Sequence, residues 1–192
     1  MKQTIPKKLA SGVVAAAMTL SLLPAAALAA DSEYSASGAT GFAFTDSGIA
    51  AEDGSYTGYK ISGTSLTIQD SGTYIVSGNC SDGSITIQKG TTGVTLVLDG
   101  LTLTSEDTAP IACNKSSEVK IVAASGTTNA LTGSAKNNDD NYPDNENAEN
   151  AVIKCKDGST VTLCGTGTLN ITANGKTASS PARRARMRAK HP

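Results

Sequence analysis

The stretch from Ala151 to Gly175 reads AVIKCKDGSTVTLCGTGTLNITANG. Apolar residues stand two apart (Val161 and Leu163, Leu169 and Ile171), small polar residues lie between them, and Gly, Asp and Asn recur at short intervals. Spacing of two is the signature of strands whose side chains alternate between two faces, and no helical period survives in it. The stretch therefore predicts short strands joined by tight turns.

Two other stretches align with it. APIACNKSSEVKIVAASGT begins at Ala109, and SITIQKGTTGVTLVLDGLT begins at Ser84. Ala109 matches Ala151, Ile111 matches Ile153, Cys113 matches Cys155, and Val119 matches both Val94 and Val161. Val94 to Val119 is 25 positions and Val119 to Val161 is 42; removing the 17 residues of SAKNNDDNYPDNENAEN, Ser134 to Asn150, restores 25. A unit of about 25 residues repeats, and one copy carries an insertion.

Each unit holds two or three short strands: Ile85/Ile87, Val94/Leu96/Leu98, Leu101/Leu103, Val119/Ile121, Val161/Leu163 and Leu169/Ile171. One unit cannot bury its own inward residues, whereas stacking units about 4.8 Å apart sets each apolar side chain over the next. The expected fold is all-β, a parallel β-helix of about 25 residues per coil. A β-sandwich also has frequent turns and is the competing reading. A polar N-terminal cap is expected around Asp31 to Gly54, and no C-terminal cap is visible.

Composition divides the chain into three. Residues 1–30 combine a basic start, MKQTIPKK, with an apolar run ending at Ala27-Leu28-Ala29, the pattern of a cleaved export signal. A secreted or cell-surface protein without a membrane span in its mature form is expected. Residues 31–176 form the repeat domain. From Asp31 to Pro181, eight Lys face seventeen acidic residues, a net charge of −9. That balance argues against nucleic acid or an anionic membrane as partner. The tail from 177 to 192 contains PARRARMRAKHP, with all four Arg and the single His of the chain. So abrupt a change is expected from a frameshift or a broken gene end, with the domain truncated near Lys176; a solvated basic tail is the simpler alternative. A monomer is expected.

The runs SLTIQDSGTYIVSGNCSDGSITI, VTLVLDGLTLTSEDTAPI and NAENAVIKCKDGSTVTLCGTGTLNITANG occur in that order. Together they resemble the secreted carbohydrate-binding domain-containing family over about Phe42 to Gly175. The resemblance implies a right-handed parallel β-helix like that of polysaccharide lyases. It also implies binding of plant-cell-wall polysaccharide, acidic sugars included, with calcium associated. Further coils usually follow GTGTLNI in that family.

The insertion offers Asp139, Asp140, Asp144 and Glu146 among several Asn. Such oxygen donors suit Ca²⁺, although the order of an EF-hand loop is absent, and a disordered acidic loop explains the same residues. Tyr142, Tyr56 and Tyr59 are the candidates for stacking on a sugar ring, with structural roles as the alternative; there is no Trp for a flat aromatic platform. Cys113 and Cys155 occupy equivalent positions, so a disulfide and a pair of buried thiols are both open readings. An enzyme of the lyase type would have to rely on Lys, since the body has neither His nor Arg. A structural or adhesive surface protein without a glycan ligand is the third reading.

Overall fold

The computed structural model describes residues 34–52, 57–174 and the backbone of 188–189. These lie in the unit Glu33–Pro192. The expected export signal, Tyr56 and most of the Arg-rich tail lie outside the described residues. Among the described residues there is no helix, and none is long and apolar enough to cross a membrane.

Among the described residues fourteen strands follow in order: β1 (Thr40–Thr45), β2 (Gly48–Ala51), β3 (Tyr59–Ser62), β4 (Ser65–Ile68), β5 (Gly72–Cys80), β6 (Ser84–Ile87), β7 (Val94–Ser105), β8 (Ile111–Cys113), β9 (Glu118–Ala123), β10 (Thr128–Gly133), β11 (Ile153–Cys155), β12 (Thr160–Gly165), β13 (Thr168–Ala173) and β14 (Arg188–Ala189). They form two mixed sheets. The smaller runs β11-β8-β6-β4-β3; the larger runs β14-β12-β9-β7-β5-β1-β2, with β10 beside β7 and β13 beside β10.

Equivalent residues of the repeat stand in register on neighbouring strands. Val94, Val119 and Val161 stand in one ladder. Ile85, Ile111 and Ile153 stand in another, with Ile87, Cys113 and Cys155 beside them. All these pairings are parallel. Both sheets also contain an antiparallel hairpin, β1 with β2 in the larger and β3 with β4 in the smaller.

The inward residues explain why the two sheets adhere. Leu66, Ile68, Ile85, Ile87, Ile111 and Cys113 of one sheet meet Val76, Leu96, Leu98, Leu103, Ile121 and Leu131 of the other in a single buried cluster. Each buried aliphatic side chain contributes about 1.5–3 kcal/mol.

β7 turns a corner in mid-strand. Its inward residues change parity from Leu96 and Leu98 to Leu101 and Leu103. Asp99 and Gly100 together stand opposite the single residue Ser77 of β5, a bulge in the ladder. Gly100 takes φ 75°, a left-handed conformation that glycine adopts without a Cβ penalty.

One strand escapes the alternation rule. β10, TNALTG, has Leu131 as its only large apolar inward residue, and the neighbouring inward position is Asn129, fully buried. The Asn129 carboxamide oxygen accepts the Leu101 N–H at 2.9 Å. Its amide group donates to Thr127 Oγ1 at 3.0 Å and to the Thr168 carbonyl at 3.2 Å. A buried amide with three partners is tolerated where an unpaired one would cost about 1–3 kcal/mol. The polar residue breaks the apolar pattern while the hydrogen bonds keep the strand.

Candidate functional site

The insertion Ser134–Asn150 is fastened down. Asn137, fully buried, donates to the Ala151 carbonyl at 3.2 Å and accepts the Glu149 N–H at 2.9 Å, closing the neck of the loop. Asn145 donates to the Asp107 carbonyl at 2.9 Å. The Asn147 carbonyl accepts from the Ala109 N–H and the Thr108 hydroxyl, each at 3.3 Å. Asn138 and Asn145 also accept backbone N–H groups of Asn141 and Asn147 at 3.0 Å, the local turns for which Asn is suited. Much of the oxygen-rich character of this segment thus serves the backbone.

Two lysines of the β11 region complete the attachment. Lys154, its side chain 8% exposed, reaches the Glu146 carbonyl at 2.8 Å and Glu149 Oε1 at 3.1 Å. Lys156 pairs with Glu146 Oε2 at 2.8 Å. That hydrogen bond, and then the Lys156 charge, hold the Glu146 carboxyl below the usual carboxylate range. Lys154 stands beside Ala112 of β8 on the side of the ladder opposite Cys113 and Cys155, and both it and Ala112 are buried. The ammonium of Lys154 is therefore one fastening point between the insertion and β11.

The expected calcium ligands do not converge. Asp139, Asp140, Asp144 and Glu146 are all exposed, and Glu146 is engaged by Lys156. Among the described residues no three His, Cys, Asp or Glu side chains could hold a metal together. Calcium gathers six to eight oxygens around one point. As placed, these four carboxylates are not gathered around one point.

Of the candidate tyrosines, Tyr59 is withdrawn into the core. Tyr59 is 4% exposed and meets Phe42 edge-to-face, with centroids 4.7 Å apart, so its ring belongs to the core. Tyr142 is half-buried in the insertion. Tyr56 lies outside the described residues. Cys113 and Cys155 are direct partners in the ladder, and both are free thiols.

The larger sheet offers two different outer surfaces. Along β5, β7, β9 and β12 the outward column Ile75-Val97-Val122-Cys164 is apolar and packs with Tyr34. Along the second half of β7, β10 and β13 the outward residues are small and neutral. Thr104, Thr132 and Thr172 form one column. Asn79, Thr102, Ala130 and Asn170 form the next. Asn79, Thr102, Asn170 and Thr172 are exposed, and Thr104 and Thr132 are half-exposed. The inward neighbours Leu103 and Leu131 are fully buried and hold this surface in place.

Such columns repeat hydroxyl and amide groups at about 4.8 Å. Hydroxyls and amides both donate and accept, which is what a polyol needs, and the absence of charge avoids desolvating an ion. The aromatic and acidic residues chosen from the sequence do not reveal this surface. Its signal is the T-x-T of LTLTS, which becomes legible once Thr132 and Thr172 are set in register with Thr104.

Comparison with known proteins follows the same lines. Residues 62–181, more than half of the chain, match the model of a family described as carbohydrate-binding domain-containing protein. A carbohydrate-binding domain-containing protein of Acetivibrio thermocellus is 34% identical over 118 residues, covering 61% of this chain and 40% of the relative. A solved structure, the gadolinium derivative of a polysaccharide lyase-like protein from C. thermocellum, superposes with a TM-score of 0.59 at 31% identity, covering 71% of this chain and 53% of the other. The chain thus spans about half or less of the length of these two proteins.

Proposed function

The chain belongs to the carbohydrate-binding domain-containing protein family, and from that premise we propose that it is a secreted, non-catalytic polysaccharide-binding module built as a right-handed parallel β-helix. The parallel ladders and the 25-residue register support the winding. The export signal in residues 1–30 supports action outside the cell.

The observation that carries the binding reading is the bare, neutral surface of β7, β10 and β13, with its columns of Thr and Asn. A polysaccharide chain laid along the Thr104-Thr132-Thr172 column would meet a hydroxyl at each strand. The ligand class is plant-cell-wall polysaccharide. Within it, a neutral chain such as cellulose matches this surface better than an acidic one, because the body carries a net charge of −9. Acidic sugars are the second target the family resemblance suggests.

A lyase-like activity is the competing reading, favoured by the likeness to a polysaccharide lyase-like protein. Against it, Lys154 and Lys156 are both engaged by carboxylates of the insertion, so neither is poised as a base. Retention of the protein on cellulose and on polygalacturonate, with calcium or with chelator, separates the readings. Retention on cellulose in chelator supports the neutral surface. Retention on polygalacturonate only with calcium moves the function to a cation bridge. Polymer shortening with new ultraviolet absorbance establishes a lyase. Failure of the folded protein to bind either polymer leaves a structural or adhesive role.

A further inference from the structure

The smaller sheet carries two inward columns that differ in one respect. Leu66, Ile85, Ile111 and Ile153 are aliphatic throughout. Ile68 and Ile87 continue into Cys113 and Cys155. Two thiols therefore face each other across one rung of a parallel ladder. Strand spacing of about 4.8 Å puts their Cα atoms inside the range a disulfide spans.

The two thiols are not equivalent. Cys113 is fully buried on β8, flanked by β6 on one side and β11 on the other. Cys155 is half-exposed on β11, the last strand of this sheet. We propose that Cys113 and Cys155 form a redox clasp, in which Cys155 is the thiol that reacts with an external disulfide and Cys113 the thiol that resolves it.

The Cys155 thiolate attacks a low-molecular-weight disulfide, forming a mixed disulfide and releasing one small thiolate. Cys113 then attacks Cys155 Sγ, its proton passing to the departing small thiolate. The Sγ–Sγ bond forms, the second small thiolate leaves, and two electrons have passed from the protein to the small disulfide. The electrostatics agree with the order. The hydrogen bond from Cys113, assisted by Ser159, lowers the Cys155 thiol in spite of burial. The same contact, followed by burial, raises Cys113.

The clasp has a structural consequence. Cys155 lies between Lys154 and Lys156, which hold Glu149 and Glu146 of the insertion. The insertion itself lies within the chain segment that a Cys113–Cys155 bond closes. Oxidation would tie β11, the anchor of the insertion, to β8.

The test is oxidation of the folded full-length chain with oxidised glutathione, followed by alkylation and peptide mapping. The expected result is one internal bond, Cys113 to Cys155, with Cys80 and Cys164 remaining alkylatable after denaturation. The melting temperature should rise by about 5 °C and return on reduction. Cys113→Ala should accumulate glutathione on Cys155, whereas Cys155→Ala should leave Cys113 unmodified. Circular dichroism confirms that each variant is folded. If a variant fails to fold, mapping of the unsubstituted chain decides. A folded chain in which both cysteines stay reduced, or in which the bond involves Cys80 or Cys164, overturns the clasp. A folded Cys113→Ala variant without a mixed disulfide overturns the order of attack.

Discussion

The insertion-bearing region around β8 and β11 and the strip formed by β7, β10 and β13 are both built from parallel ladders, one in each sheet, and end in opposite states. Near β11 the outward position is Lys154, buried, with its ammonium held by the insertion. Along β7, β10 and β13 the outward positions are Thr and Asn, and most of them meet solvent. The region richest in charge and in candidate ligands is thus occupied by its own contacts. The surface with the plainest residues is free to accept a partner. Residue chemistry alone favours the first; availability favours the second.

Truncation beneath the open strip should have the largest effect. Leu131 is fully buried between Leu103 and Ile171 of the adjoining strands. Leu131→Ala is expected to lower stability by about 2–5 kcal/mol and to abolish polysaccharide retention near the melting temperature. Urea denaturation measures the first effect. A loss below about 1 kcal/mol would mean that the strip is loosely supported.

Next comes release of the insertion. Lys154→Met removes the ammonium from the Glu146 carbonyl and from Glu149 Oε1. A cost of about 1–3 kcal/mol is expected, kept below that of a fully buried ion pair because Glu149 is 55% exposed. Limited proteolysis should cut within Ser134–Asn150 sooner than in the unsubstituted chain. Cellulose retention should persist; its loss, with the fold intact, would move the site to the insertion.

The converse substitution acts on binding rather than stability. Thr104→Val with Thr132→Val keeps side-chain shape and strand propensity while deleting two hydroxyls. Retention on cellulose should fall by about tenfold at nearly unchanged stability, the scale of two modest hydrogen bonds. Unchanged affinity would exclude this strip as the contact surface.

Acid should produce the smallest effect. The folded Glu146 carboxyl is held low by Lys156, so its contribution is present above the unfolded carboxylate value of about 4.3. It is lost as pH falls through the lower folded value. Glu146 is 83% exposed, so solvent screening should keep the change within about 0.5 kcal/mol. The NMR signal of the Lys156 ammonium should shift over that window, and Glu146→Gln should remove that shift.

Most strand positions and their register were legible from the chain. Period-two alternation marks a strand locally, and matching Val94, Val119 and Val161 already pairs them correctly. β10 was not legible, because Asn129 stands where an apolar residue would have marked the strand, and its burial depends on partners at Leu101 and Thr168. The fate of Tyr59 was equally hidden: an aromatic ring is chemically suited both to a sugar and to a core, and only contact with Phe42 distinguishes them.

The sequence by itself determined the all-β class, the repeat and its register, because alternation and equivalence are properties of order along the chain. Only the tertiary structure decided which outward residues are free. The Asn and Lys side chains that fasten the insertion act across as many as 38 positions, and whether a polar group is already satisfied depends on what the fold brings beside it.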